Sequence, residues 1–117
     1  MKNSSIWQSI SRLSQIEEIV ENSFSKPQVI FKHSTRCGIS RLAKNRMERG
    51  WDFDLDQVDL HYLDLLTYRP ISNHIAERTG IVHESPQMIL IIEGKAVFSA
   101  SHAEVVPDAI MPFVITA

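Results

Sequence analysis

The chain has 117 residues, 44% hydrophobic and 22% charged, with a net charge of −2. That length suits one domain with one core, spanning residues 1–117, and the charge excludes bulk attraction to nucleic acid or to an anionic membrane surface. One cysteine, Cys37, excludes an intramolecular disulfide, and the longest apolar run, Met88 to Ile92, is far too short for a membrane span.

In chain order, Ile6 and Trp7 are expected to open a short edge strand. Ser14-Gln15-Ile16-Glu17 fits a capping box for a first helix running to Asn22, with Ile16, Ile19 and Val20 on its inner face. Lys26-Pro27 ends that segment, and Gln28 to His33 reads as a buried strand. From Ile39, the apolar positions Ile39, Leu42, Ala43 and Met47 recur at helical spacing, closed by Arg46, Arg49 and Gly50. Phe53 to Leu60 alternates imperfectly and predicts a strand with a shift in register. Pro70 suits the first turn of a third helix, with Ile71, Ile75 and Ala76 inward and Thr79-Gly80 at its end. Gln87 to Ile92 is apolar on both faces, as in a strand covered on both sides. Glu93-Gly94-Lys95 then turns into Ala96 to Ser101, and Pro107 to Val114 predicts a terminal helix. The order β-α-β-α-β-α-β-β-α implies an α/β domain of three layers around a central mixed sheet, ending in an antiparallel hairpin.

Cys37 falls where the second strand ends and the second helix begins. Unpaired backbone N–H groups and the positive end of the helix dipole would point at its sulfur, an arrangement that favours a reactive thiolate. A small buried hydrophobe is the alternative for a lone cysteine, but the polar run Ser34-Thr35-Arg36 before it argues for the reactive thiol. Six of the twelve Lys and Arg residues (Lys32, Arg36, Arg41, Lys44, Arg46 and Arg49) cluster around it in sequence. Of these, Lys32 and Arg36 are close enough to be expected near the sulfur. Ser40 occupies the second place of a C-x-x-C pair, so self-resolution by a second thiol is excluded. Ser40 is expected either to donate a hydrogen bond to the thiolate or to satisfy the first turn of the helix. His33 is expected to be partly buried and hydrogen-bonded. His61, His74, His83 and His102 show no metal-ligand spacing, and no metal is expected.

Three blocks carry a family resemblance: Phe31-Lys32-His33-Ser34-Thr35-Arg36-Cys37, Tyr68-Arg69-Pro70-Ile71-Ser72-Asn73, and Thr79-Gly80-Ile81-Val82-His83-Glu84-Ser85-Pro86-Gln87. Together, over residues 5–103, they resemble the monothiol bacilliredoxins, a family of thioredoxin-like fold. The resemblance implies sheet order 1-3-2-4-5 and a cis-proline at Pro86 beside Cys37. It also implies thiol–disulfide exchange with bacillithiol mixed disulfides. One departure is Gly38, where much of the family is expected to carry proline. Cys37-Gly38-Ile39-Ser40 is close to the Cys-Gly-Phe-Ser signature of monothiol glutaredoxins, many of which carry an iron–sulfur cluster.

The expected function is therefore an enzyme, a thiol–disulfide oxidoreductase. Cys37 would take bacillithiol from bacillithiolated client proteins, with bacillithiol as co-substrate and a second low-molecular-weight thiol regenerating it. Ser85 and Pro86, opening the fourth strand, would offer a backbone edge to the incoming thiol compound. Lys32, Arg36 and Gly38 complete the expected binding residues, the two cations meeting the carboxylates of a malate-bearing thiol, and Arg69 is assigned to the solvated surface. A cytoplasmic monomer is expected. The alternatives are a glutaredoxin-like cluster carrier and a redox-inert binding module of the same fold.

Overall fold

The structure, a computed structural model, describes residues 6–54 and 56–115. Its elements are β1 (Gln8–Ser9), α1 (Ser14–Asn22), β2 (Gln28–His33), α2 (Gly38–Gly50), β3 (Asp59–Asp64), α3 (Arg69–Thr79), β4 (Gln87–Ile92) and β5 (Lys95–Ser101). Two 3-10 turns, His102–Glu104 and Pro107–Ile110, then lead into a short α4 (Met111–Ile115). The five strands form one sheet in the order β1-β3-β2-β4-β5. β1, β2 and β3 run parallel, β4 is antiparallel to β2, and β5 is antiparallel to β4. This is the expected order.

β2 is central and buried along its whole length. Because strand side chains alternate between faces, its residues build two cores. Val29 and Phe31 pack with Ala43 and Met47 of α2 and with Ile110. Ile30 packs with Ile16 and Ile19 of α1 and with Ile71 and Ile75 of α3. The result is three layers, as the element order implies.

Several boundaries differ from expectation, each for a physical reason. β1 is Gln8–Ser9, and Trp7 instead donates its indole N–H to Glu48 of α2 at 2.8 Å. The Ser14–Glu17 capping box does not form, because Leu13 precedes α1 in helical geometry without a side-chain cap. Gln15 does that work one turn earlier, its Oε1 accepting the N–H groups of Ser11 and Arg12, each at 2.8 Å. The inner face of α2 is Ser40, Ala43 and Met47, while Ile39 and Leu42 are 58% and 59% exposed. Both stripes have helical spacing, and polarity at Ser40 disguised the buried one. The third strand is Asp59–Asp64 and not Phe53–Leu60. Asp54 and Gln57 form a turn, with Gln57 N–H on the Asp54 carbonyl at 3.0 Å, and Phe53 packs edge-on against Trp51 at 5.0 Å. Leu55 lies outside the described residues. The expected terminal helix is a 3-10 turn that becomes α-helical only at Met111.

The β4–β5 hairpin turns through Glu93 and Gly94, with φ of 53° and 82°. Two consecutive left-handed residues match the twist of the flanking strands. Ser23, after α1, accepts both turn N–H groups: Glu93 on its carbonyl at 3.0 Å and Gly94 on its Oγ at 2.8 Å.

Candidate active site

β2 delivers the chain to the carboxyl end of the parallel strands at His33. A turn follows, closed by Cys37 N–H on the Ser34 carbonyl at 3.2 Å. Cys37 is extended (φ −110°, ψ 123°) and stands at the N-cap of the 13-residue α2, its carbonyl accepting Arg41 N–H at 3.0 Å. The half-buried sulfur therefore occupies the position from which a capping oxygen takes the first free N–H groups of a helix. No side chain caps this terminus. A thiolate there meets unsatisfied donors and the positive end of the dipole. Gly38 is the first helical residue, the place where proline is best tolerated. It is exposed, and a Cβ there would meet only Arg41 Nη2 at 3.7 Å, so sterics do not demand glycine.

Ser40 and His33 lie behind the thiol. Ser40 is fully buried, its Oγ accepting Ser34 N–H at 3.0 Å and lying 2.7 Å from His33 Nδ1. Burial lowers the His33 pKa, with Lys44 adding to the effect and Asp64 opposing it. His33 Nδ1 and the Ser40 hydroxyl are hydrogen-bonded partners, the donor being set by the histidine tautomer. The Ser40 hydroxyl thus latches the end of β2 to the first turn of α2, and neither of these two hydrogen bonds goes to the Cys37 sulfur. The ring of His33 stacks on Phe31 at 5.7 Å and meets Tyr62 at 5.6 Å. Lys44 sits over the Trp7 and Tyr62 rings at 5.5 and 5.7 Å.

Lys32 is not beside the sulfur. As the neighbour of His33 on a strand, it points to the opposite face, where it is fully buried. Its Nζ donates to the Ser72 carbonyl at 3.2 Å and lies 3.3 Å from His83 Nδ1. Burial, with Arg69 nearby, lowers its pKa to about 8. A ligand carboxylate at the surface cannot reach it, which corrects the sequence reading. Arg36 is exposed and makes no ion pair among the described residues. Arg69 is also exposed, in the first turn of α3.

The Ser85–Pro86 bond is cis. Gln87 starts β4 opposite Lys32, so Ser85 and Pro86 lie at the same end of the sheet as the Ser34–Cys37 turn. The Pro86 carbonyl accepts His102 N–H at 3.0 Å. Ser85 stands outside the ladder, and its Oγ is buried without a hydrogen-bond partner among the described residues. Ser72, His83 and Gln87 join this end of the molecule although nothing in the sequence marked them as site residues. They come from α3, a loop and β4, and only the topology brings them together.

The arrangement offers one sulfur at a helix N-terminus, an exposed cation one residue before it, and a backbone segment outside the ladder at the same end of the sheet. Residues 8–110 match the model of the family described as monothiol bacilliredoxin BrxC. Among solved structures, the chain is similar to a protein assigned as an oxidoreductase with a thioredoxin fold, with 25% identity, a TM-score of 0.80 and 96% of each chain covered. It is also similar to thioredoxin O2 of Arabidopsis thaliana in its oxidised state, with 18% identity, a TM-score of 0.73, and 95% of this chain and 96% of that one covered. For thioredoxin f of spinach chloroplast the values are 15% identity, a TM-score of 0.70, and 98% and 90% coverage. The two thioredoxins show the fold alone. With the family matched over nearly the whole chain and a lone thiol at the N-cap position of the second helix, this chain belongs to the monothiol bacilliredoxin family and is a thiol–disulfide oxidoreductase of thioredoxin fold.

Proposed function

We propose that the protein removes bacillithiol from mixed disulfides on client proteins through Cys37. The carrying observation is a single thiol at the α2 N-cap with a buried, hydrogen-bonded Ser40 where a resolving thiol would otherwise stand. The Cys37 thiolate attacks the bacillithiol sulfur of the client–bacillithiol disulfide. That S–S bond breaks, the client leaves as a thiolate that takes a proton from water, and a Cys37–bacillithiol disulfide forms. A second bacillithiol thiolate then attacks the bacillithiol sulfur of this adduct, releasing bacillithiol disulfide and the Cys37 thiolate. Arg36, exposed and without an ion pair among the described residues, supplies a cation for the malate carboxylates of bacillithiol, and the Ser85 backbone offers the edge on which the disulfide segment aligns.

The test offers purified protein one client carrying either bacillithiol or glutathione. Fast release of the client thiol from the bacillithiol form, a Cys37 adduct of bacillithiol mass, and loss of both in Cys37→Ala are expected. Equal or faster release from the glutathione form would sink the assignment of bacillithiol. A stable coloured dimer formed with iron and sulfide, with no client release, would favour cluster carriage.

A further inference from the structure

Two side chains from the floor of the sheet hold the loop that leads into β4, residues 80–86. Lys32 and Gln87 are direct partners across the antiparallel β2–β4 ladder, so both rise from the same face. Gln87 donates from Nε2 to the Val82 carbonyl at 2.9 Å and accepts the Glu84 N–H on Oε1 at 3.4 Å. Lys32 Nζ reaches His83 Nδ1 between them, at 3.3 Å, and the Ser72 carbonyl of α3 at 3.2 Å. The Ser72 hydroxyl lies 3.3 Å from the same His83 nitrogen. Three consecutive loop residues, Val82, His83 and Glu84, are thus each tied to one cross-strand pair. The Val82 side chain meanwhile stands 80% exposed.

A lysine wholly removed from water with no carboxylate partner among the described residues is costly to bury. An apolar side chain would fill that space at less cost. What the lysine adds is a donor aimed at His83, two residues before Ser85. The Ser85 Oγ is buried without a hydrogen-bond partner among the described residues, so it is the ties at Val82, His83 and Glu84, and not this hydroxyl, that hold the segment.

We propose that Lys32 and Gln87 are positioning residues. By tethering Val82, His83 and Glu84 they fix the Ser85 backbone where it pairs with the segment flanking the disulfide that Cys37 attacks. Neither touches the reacting sulfurs. The inference rests on the exchange reading above, since it takes Ser85 as the docking edge, but it does not depend on which small thiol the client carries. Loosening the tether weakens binding of a macromolecular disulfide and leaves the thiolate itself alone.

The experiment compares wild type, Lys32→Met, Gln87→Met and the double variant in three assays. KM and kcat are measured with both the bacillithiolated and the glutathionylated client. The rate with the small aromatic disulfide 5,5′-dithiobis(2-nitrobenzoate), which needs no backbone pairing, is the second readout. The third is iodoacetamide alkylation of Cys37 against pH. KM for the client is expected to rise by roughly tenfold in each single variant, with kcat, the small-disulfide rate and the alkylation profile within about twofold of wild type. The double variant is expected to be little worse than either single one, because the two residues serve one tether. An unchanged KM overturns the proposal, as does a parallel fall in the small-disulfide rate or a shifted alkylation profile. Should Lys32→Met not fold, Gln87→Met carries the same test without a change of charge. A wild type that prefers the glutathionylated client would refute the bacillithiol assignment while the KM comparison still decides the tether.

Discussion

Ser40 shows how much one hydroxyl does at the active-site turn. It accepts Ser34 N–H and meets His33 Nδ1, and of these partners His33 is buried and Ser34 half-buried. Ser40→Ala leaves the half-buried Ser34 N–H and the buried His33 Nδ1 without this partner, so a loss of about 1–3 kcal/mol in unfolding free energy is expected by urea denaturation. Exchange chemistry should survive, because no bond of Ser40 reaches the Cys37 sulfur among the described residues. A loss below about 0.5 kcal/mol, the ordinary scatter of surface substitutions, would show that the latch contributes nothing. The same residue explains a failure of sequence reading. A helix face scored by apolarity passes over a buried serine, and Ile39 and Leu42 then look like the inner stripe although they face solvent.

The elements that are apolar throughout were legible in the sequence, and those carrying buried polar residues were not. β2 and β4 have the predicted bounds because Val29 to Phe31 and Met88 to Ile91 leave no other reading. β3 lies later than the alternation over Phe53 to Leu60 predicts, because it carries a buried His61 whose partner, Gln28 at 2.7 Å, only the fold supplies. The sheet order came from family resemblance, and the thiol's position from the strand–helix junction. The Lys32–Gln87 tether could not be read, since its members belong together only once β2 and β4 are paired. The hairpin turn allows a direct test at this scale. Gly94 has φ of 82°, and a Cβ there would fall 2.8 Å from Cζ of the Phe24 ring. Gly94→Ala is expected to lower stability by roughly 1–2 kcal/mol, the cost of a left-handed alanine, with Phe24 swinging aside. Glu93→Asn, at φ of 53°, should raise it by a few tenths of a kcal/mol, since asparagine tolerates that conformation better. Thermal melts of both variants check the pair, and a neutral Gly94→Ala would count against the turn geometry.

The molecule as a whole is built to lose stability in acid. Burial lowers the His61 pKa from 6.5 to about 4, and burial also lowers His33 and His83. A histidine depressed in the folded state binds fewer protons there than in the unfolded chain, so stability falls as pH drops through the unfolded value toward the folded one. For His61 that window is pH 6.5 to about 4, and the loss is about 3 kcal/mol. Asp59 and Glu48 act in the same direction at lower pH, because hydrogen bonds from Gln28 and from Lys44 hold their pKa values down against burial. Lys32 acts at the other end, adding stability as pH rises above about 8. The urea midpoint is expected to drop steadily below pH 6.5, and His61→Gln, which keeps a donor toward Gln28, should flatten that drop; equal slopes in the two proteins would refute the assignment. Among the described residues no helix is long and apolar enough to cross a membrane. Cys37 is the only sulfur able to form a disulfide, with Ser40 in the second place of the pair. Every disulfide of Cys37 therefore joins the chain to another molecule, and with a small thiol the product is a mixed disulfide. Its formation from a small disulfide releases one small thiol, where closing an internal disulfide would release two. By mass action the oxidised fraction follows the ratio of small disulfide to small thiol to the first power, so diluting both together leaves it unchanged. A dithiol protein in the same solution would shift with dilution, whereas this one gauges the composition of the thiol pool and is blind to its size.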